Sequence, residues 1–230
     1  MIRFAAERLI RRNRATGKVL TISGIGLMVL GLILSLTRPS EISLQLGSAV
    51  GGMFIFQIGI GFHNRWGKSP RLDEILDRSL KGLDDRFAIF HYSLGSPHAL
   101  VSPGGIFAVV PLLDEGEILF ENKHWWRLKT SKRGRPRARR LDGLEDQAAS
   151  AVRATRRVLH RRLPERDQLE VRPLLVFLHP NARLASDRLP LPAVHGKKLK
   201  DYLRRSAKGV TLNQDEVQSL GAALRLQPSD

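Results

Sequence analysis

The sequence predicts an α/β protein in which a two-helix membrane hairpin precedes one domain of helices and strands. Two observations lead to this prediction. Val19 to Leu36 and Ile42 to Phe62 are uncharged, strongly apolar runs. After them come a helical pattern, several strand-like runs, a second helical pattern and another apolar strand, which is the element order of an α/β sandwich. With 230 residues, the chain has room for one anchor and one domain of ordinary size.

The two apolar runs have the length of membrane-spanning helices. Eighteen residues of helix reach about 27 Å, close to the ~30 Å of the hydrocarbon layer. The short connection contains Pro39, which ends the first helix and leaves only a tight antiparallel return. A cleaved signal peptide is the alternative for the first run. It is disfavoured because no small-residue cleavage site follows and a second span comes directly after.

Charge predicts the orientation of the hairpin. Residues 1–18 form a basic N-terminal segment, whereas the loop between the spans carries Arg38 balanced by Glu41. The positive-inside rule places this segment in the cytoplasm, and two spans return residues 70–205 to the same side. The sequence thus predicts a multi-pass protein of the cell membrane with a cytoplasmic domain. The basic residues of the segment are Arg3, Arg8, Arg11, Arg12, Arg14 and Lys18.

Small and polar residues in the second span predict how the helices pack. Gly47 with Gly51, and Ser48 with Gly52, are four residues apart, a spacing that allows close helix contact in lipid. Gln57 is the strongly polar side chain of this span. We expect Gln57 to form a hydrogen bond with the partner helix, because no intramembrane charge accompanies it.

The domain begins with a predicted helix and continues as strands. Ser69-Pro70 is a helix start, after which Leu72, Ile75, Leu76, Leu80 and Leu83 recur at helical spacing. Trp125 and Trp126 are interpreted as sheet packing, and Asp114-Glu115-Gly116 as a hairpin turn. The predicted strands are Arg86 to Leu94, His98 to Ser102, Ile106 to Leu112, Glu117 to Phe120, His124 to Leu128 and, as a strand buried on both faces, Val171 to Leu178.

Basic residues concentrate in two further segments. Lys129 to Arg140 has no apolar period and is predicted to be a loop, while Leu144 to Arg162 is predicted to be a helix that is apolar on one side and arginine-rich on the other. Short helices are expected around Lys197 to Arg205 and from Asn213 to Leu226, the latter in a C-terminal extension of residues 206–230. The candidate nucleic-acid or anion-binding residues are Lys129, Lys132, Arg133, Arg135, Arg137, Arg139, Arg140, Arg153, Arg157 and Arg161.

Composition narrows the possible partners. The chain has 38 Lys and Arg against 22 Asp and Glu, a net charge of +16. Such an excess attracts polyanions, either nucleic acid or anionic lipid. Phosphate contacts carry no sequence information, so any nucleic-acid binding is expected to lack sequence preference. The chain has no cysteine, which excludes thiolate zinc sites and cysteine nucleophiles.

The stretch from Lys81 to Trp126, with its VSPGGIFAVV core, resembles the nuclease-related domain, NERD. The similarity continues through Gln147, the VRPLLVFLHP strand and the LPLPAVHGKKLKDYLRR segment, and covers Leu72 to Arg205. The resemblance implies a restriction-endonuclease-like fold, which in this family is often attached to membrane segments in bacteria.

The resemblance also implies where a nuclease centre would lie: an Asp ahead of one hairpin strand and a Glu-x-Lys on the next. The matching positions are Ser96 or Pro97, beside His98, and Val110-Pro111-Leu112. Neither offers a carboxylate or an amine to a divalent cation or phosphate. We therefore expect a domain without catalytic residues, metal or cofactor. Two alternatives stay open: a metal-dependent nuclease with relocated carboxylates, and a structural protein that binds lipid or a protein partner. The acids considered for relocation are Asp84, Asp85, Asp114, Glu115 and Glu117.

Overall fold

The computed structural model describes residues 1–130, 134, 136–166, 169–185 and 189–207, together with 212, 215, 216, 218, 219 and 222. The chain forms two compact units. One consists of Ala6–Arg71, and the other combines Met1–Ala5 with Leu72–Asp230. The predicted C-terminal helix from Asn213 to Leu226 lies mostly outside the described residues.

The first unit is a helical hairpin. Helix α1 spans Glu7–Thr37 and α2 spans Ile42–Phe62, followed by a π-helical turn at His63–Gly67. Both helices are long and apolar enough to cross a membrane. Large apolar side chains such as Ile22, Leu36 and Phe54 point outward and are exposed. Such a surface suits lipid rather than water.

Glycines bring the two helices of the hairpin together. Gly17, Gly24 and Gly31 repeat every seven residues on the buried side of α1, and α2 buries Ser48, Gly52 and Gly59. A Cβ at Gly24 would lie 2.6 Å from the backbone N of Phe56, and one at Gly52 would lie 2.8 Å from the carbonyl oxygen of Gly24. The backbones therefore approach as closely as small residues allow.

The two predicted small-residue pairs of α2 lie on different sides of that helix. Ser48 and Gly52 lie at the helix contact, whereas Gly47 faces open space and Gly51 meets only the side chain of Leu27. The prediction for Gln57 is wrong: its side chain is exposed on α2 and forms no hydrogen bond with a described residue of α1. Helical phase explains this, because the contact stripe passes through Gly52 and Gly59 rather than through Gln57.

The continuously described parts of the second unit form ten strands and three α-helices. The helices are α3 (Leu72–Leu80), α4 (Leu144–Arg162) and α5 (Leu199–Ser206). The strands are β1 (Ile2–Ala5), β2 (Ala88–Leu94), β3 (Ser96–Ser102), β4 (Gly105–Leu112), β5 (Gly116–Glu121), β6 (His124–Thr130), β7 (Pro136–Arg140), β8 (Val171–Phe177), β9 (Ala182–Leu184) and β10 (Ala193–His195).

A six-stranded mixed sheet forms the centre of this unit, in the order β1-β2-β3-β4-β8-β10. β2, β3 and β4 are antiparallel, and β8 joins β4 in parallel. Helices α3 and α5 pack on one face through Leu76, Leu80 and Leu203, and α4 packs on the other. The predicted α4, the antiparallel strands and the buried strand β8 are confirmed, and so is the α/β class.

A second, four-stranded sheet has the order β7-β6-β5-β9. Its Ile118 and Trp125 belong to the same core as α4. Asp114-Glu115-Gly116 is not a hairpin turn, because it connects β4 of one sheet to β5 of the other. Gly116 has φ +98°, and a Cβ there would overlap the carbonyl oxygen of Leu128, so the crossing requires glycine.

Two further differences concern segments without an apolar pattern. The predicted loop from Lys129 to Arg140 contains the end of β6 and all of β7, which pair antiparallel. Alternating arginines in β7 supply no apolar period, so backbone pairing with β6 decides the structure. Ile2–Ala5 forms β1, which pairs in parallel with β2, and α1 begins at Glu7. Residues 1–18 are therefore divided between the two units, and both ends of the hairpin connect to one domain.

Candidate functional site

Four basic side chains face one another across β6 and β7, and we call them the cation ladder. Arg127 is directly opposite Arg139, and Lys129 is directly opposite Arg137. Positions two apart on a strand share a face, so all four side chains lie on the same side of the sheet. Like charges placed directly opposite one another destabilise a strand pair.

The ladder lies where the sheet extends beyond the core. Trp125 shares its face and is buried, with its ring 5.4 Å from that of Phe120 and 6.4 Å from that of Phe177. Two residues further along, Arg127 is partly exposed, and Lys129 is exposed. One end of β6 is thus fixed by aromatic packing while the other presents cations to solvent. The interpretation of Trp125 as sheet packing is confirmed.

In each opposing pair of the ladder, the cation on β6 has an acidic partner, whereas the cation on β7 has none among the described residues. Arg127 Nη1 donates to Asp114 Oδ1 over 3.2 Å, and Lys129 pairs with Glu115. The hydrogen bond from Lys129 holds the pKa of the Glu115 carboxyl below its usual range, so this acid stays charged. Arg137 and Arg139 are exposed, and neither forms an ion pair with any described residue. An anion bound at the ladder would relieve the repulsion between the opposing cations.

The other predicted basic residues are distributed over separate positions. Arg153, Arg157 and Arg161 are exposed on α4, while Leu144, Ala148, Thr155 and Leu159 of the same helix are buried, as predicted. Arg140 lies opposite Trp126, on the other face of β7 from the ladder, and pairs with Asp142. Lys132, Arg133 and Arg135 lie outside the described residues. Of the ten predicted residues, the structure brings Lys129, Arg137 and Arg139 together.

Arg127 is the ladder residue that the sequence interpretation missed. It was assigned to a packing strand, because the two preceding tryptophans dominate that segment. The usable signal was the alternation Trp125, Arg127, Lys129, which places the two cations on one face of a strand.

The positions matching a nuclease centre are apolar or occupied by internal hydrogen bonds. Ser96 is buried; its Oγ donates to the carbonyl oxygen of His98 over 3.2 Å and accepts from Thr155 Oγ1 over 2.8 Å. Val110 belongs to the hydrophobic core. Within the described part of the chain, no group of three or more His, Asp or Glu side chains could hold a metal ion.

A polar cluster with two buried histidines lies next to these positions, where α3 packs on the central sheet. His91 and His98 are cross-strand partners on β2 and β3, and their Nδ1 atoms are 2.7 Å apart. His91 Nε2 lies 2.8 Å from Asp77 Oδ1. An ionised Asp77 only accepts, so Nε2–H of His91 donates to it, and in a neutral His91 the Nδ1 atom accepts from Nδ1–H of His98. This hydrogen-bond chain fixes the tautomers of both rings.

Strand β1 completes the cluster. Arg3 Nε donates to Asp77 Oδ2 over 2.7 Å, and Arg3 Nη2 lies 3.9 Å from Asp73 Oδ2, a carboxylate with no exposed surface. We call Arg3, Asp73, Asp77, His91 and His98 the His-Asp cluster. The sequence interpretation noted only His98, because Arg3 and Asp77 are 74 residues apart and no local spacing connects them.

Comparison with known protein families, with curated proteins and with solved structures finds no match to this chain.

Proposed function

We propose that this chain is a membrane-anchored NERD-type protein that does not cleave nucleic acid, but binds it without sequence preference through the cation ladder. The restriction-endonuclease-like identity of the central sheet is part of this proposal and rests on the resemblance between Lys81 and Trp126. The multi-pass topology and the cytoplasmic position of the domain belong to it as well, and rest on the charge of the N-terminal segment.

One observation carries the binding proposal: Arg137 and Arg139 are exposed, lack ion pairs with described residues and lie directly opposite two further cations. Arginine binds phosphate oxygens through its planar set of donors, which suits a phosphodiester backbone. The spacing along a strand, about 6.8 Å between alternate residues, is close to the phosphate spacing of an extended single strand. Backbone contacts of this kind give affinity that falls steeply with salt.

The absence of cleavage follows from the side chains available. Val110, Pro111 and Leu112 cannot ligate a metal ion, and the nearest acids beyond β4, Asp114 and Glu115, pair with Arg127 and Lys129. The test is incubation of the full chain with single- and double-stranded DNA and RNA in magnesium or manganese. Cleavage that disappears with chelator and in the Asp114→Ala variant would establish the relocated-carboxylate nuclease instead.

Binding is best measured with the full chain in nanodiscs of zwitterionic lipid, using fluorescent single-stranded and duplex DNA over a salt series. The double variant Arg137→Gln, Arg139→Gln should bind more weakly and lower the magnitude of the duplex log-log salt slope by about 1.8, since each lost phosphate contact removes about 0.9. The matched control is Arg86→Gln with Arg204→Gln. It removes the same charge from two exposed arginines that pair with Asp84 and Asp201.

Three outcomes decide the proposal. A loss confined to the ladder variant supports it. An equal loss in both double variants shows that net charge alone attracts DNA, and the ladder is then not the site. If the wild-type chain binds no nucleic acid but the ladder variant loses binding to anionic vesicles, the lipid-binding alternative takes its place.

Topology is tested separately with reporter fusions in the loop at Ser40 and at Asp230. The proposal requires Ser40 outside and Asp230 in the cytoplasm. An outside location for Asp230 would contradict the orientation. The pairing of β1 with β2 supports a return of the chain to the side on which it begins, since β1 precedes the hairpin and β2 follows it.

A further inference from the structure

A large cavity opens between β9, β10 and α5, away from the cation ladder. Its volume is about 900 Å³, near the upper end of the ~300–1,000 Å³ typical of small-molecule sites. Leucines and prolines form much of its wall, including Leu184, Leu189 and Leu191. The proposed polyanion binding makes no use of this cavity.

The Lys and Arg side chains are the charged groups among the described lining residues of the cavity. Arg183 comes from β9, Lys197 and Lys198 from the turn that precedes α5, and Arg205 from α5 itself. The described lining includes no Asp or Glu. None of these four cations forms an ion pair with a described residue. Cations that line one cavity repel one another, and an anion bound among them reduces that repulsion.

His195 holds the lysine-containing turn in place. Its Nδ1 accepts from the backbone N–H of Lys197 over 3.1 Å, and its Nε2 donates to the carbonyl oxygen of His179 over 3.1 Å. One nitrogen accepts and the other donates, which is the pattern of a neutral imidazole. His195 thus positions the Lys197 backbone, while the lysine side chains remain available to a ligand.

Tyr202 supplies an aromatic surface and a hydroxyl at the same cavity. It is half-buried, and its ring packs edge-on against Phe107 with the centroids 6.2 Å apart. Burial raises the pKa of the phenol, and the charge of Arg172 offsets part of this rise. The hydroxyl therefore remains a hydrogen-bond donor at neutral pH.

We infer that this cavity binds a small molecule that carries phosphate groups on an apolar or aromatic body, the chemical class of the nucleoside phosphates. The cationic lining matches the phosphates, and the leucine and proline wall, together with Tyr202, matches the body. A phospholipid headgroup with part of its acyl chain shares this chemistry. The experiment below separates these two sources.

The full chain in zwitterionic nanodiscs is titrated with ATP carrying a fluorophore, with unlabelled ATP, inorganic phosphate and adenosine as competitors. Unlabelled ATP should displace the probe, phosphate should displace it at higher concentration, and adenosine should be weakest. Arg205→Gln and Lys198→Gln should each weaken binding about tenfold, since a charge-assisted hydrogen bond is lost.

Arg204→Gln and Lys200→Gln are the matched controls on α5. Neither residue lines the cavity, and both variants should bind like wild type.

The outcomes are distinct from those for the ladder. Binding that is lost in Arg205→Gln but kept in the Arg137→Gln, Arg139→Gln variant supports the cavity. Equal loss in Arg204→Gln and Arg205→Gln, or loss only in the ladder variant, overturns the inference, as does an absence of binding at millimolar ATP and phosphate. The wild-type chain is also compared in nanodiscs of anionic and of zwitterionic lipid. If it loses the ATP probe only in the anionic nanodiscs, the phosphate source is a lipid headgroup.

Discussion

The His-Asp cluster and the cation ladder are both dense in charge, but their charges are satisfied in opposite ways. In the cluster, Asp77 of α3 accepts from both His91 and Arg3, and the two histidine rings are buried. In the ladder, Arg137 and Arg139 are exposed and lie opposite other cations. Removing Asp77 leaves the buried His91 without its acceptor, whereas removing Arg137 or Arg139 relieves repulsion. Pairing, more than charge density, distinguishes these two groups of charged residues.

The largest expected effect is on the cluster. Asp77→Ala should lower the free energy of unfolding of the domain by about 2–4 kcal/mol, because it leaves Nε2–H of the buried His91 without its acceptor. The measurement is chemical denaturation of the full chain in detergent micelles, followed by tryptophan fluorescence and by hydrogen exchange of β2 and β3.

Asp84→Ala is the matched control for that measurement. Asp84 also accepts from an arginine, Arg86, at 2.7 Å, but both side chains are about half exposed. An exposed pair of this kind contributes about 0–1 kcal/mol. If the two variants are equally stable, burial does not distinguish the cluster from surface pairs and the comparison fails.

The next effect concerns the hydrogen bond between the two histidines. His98→Leu should lower the free energy of unfolding by about 1–3 kcal/mol, because it leaves the buried Nδ1 of His91 unpaired. Combining it with Asp77→Ala in a double-mutant cycle should show coupling above about 0.5 kcal/mol, as expected for one network. Strictly additive effects would mean that the Asp77–His91 and His91–His98 bonds act independently.

The ladder should respond in the opposite direction. Arg137→Gln with Arg139→Gln should leave the free energy of unfolding unchanged or raise it by up to about 1 kcal/mol, because it removes like charges from opposing strand positions. The same denaturation experiment measures it. A clear loss of stability would show that these arginines support the fold, and their role as a free binding surface would then be untenable.

The smallest effect is expected at Glu115, which compensates Lys129. Glu115→Gln should raise DNA affinity by about two- to fivefold at low salt, since it releases one more cation to the ladder. A similar rise should follow in wild type as pH falls through the lowered pKa of Glu115, where protonation breaks the pair and removes its stabilising contribution; above that range the pair is intact. Binding titrations across pH, with the variant as the pH-insensitive control, check this.

Local pattern was enough to predict much of the fold. Periodicity correctly placed the helix from Leu144 to Arg162 and the strands on either side of Pro103-Gly104. Their buried faces consist of residues that are close together in the sequence, so the pattern is visible there. β7 was missed because alternating arginines contain no apolar period, and β1 was missed because four residues ahead of a long apolar helix give too little pattern.

The same distinction applies to the candidate sites: the sequence showed their composition but not how their charges pair. The basic character of Lys129 to Arg140 was visible in the sequence, and the nuclease-like positions were visibly without acids. Which cations face one another, and which already have a carboxylate, depends on the register of β6 and β7 and on the crossing at Gly116. A shift of one residue in that register would move every side chain to the other face.

The sequence by itself determined the two apolar helices, the α/β class and the excess of positive charge, since each follows from composition or from spacing within a few turns of chain. The tertiary structure alone decided the pairing of charges. Arg3 meets Asp77 only when β1 joins the sheet, and Arg183 and Arg205 line one cavity only because the fold brings β9 and α5 to its two sides. Electrostatic interaction depends on distance in space and on burial, and neither is set by distance along the chain.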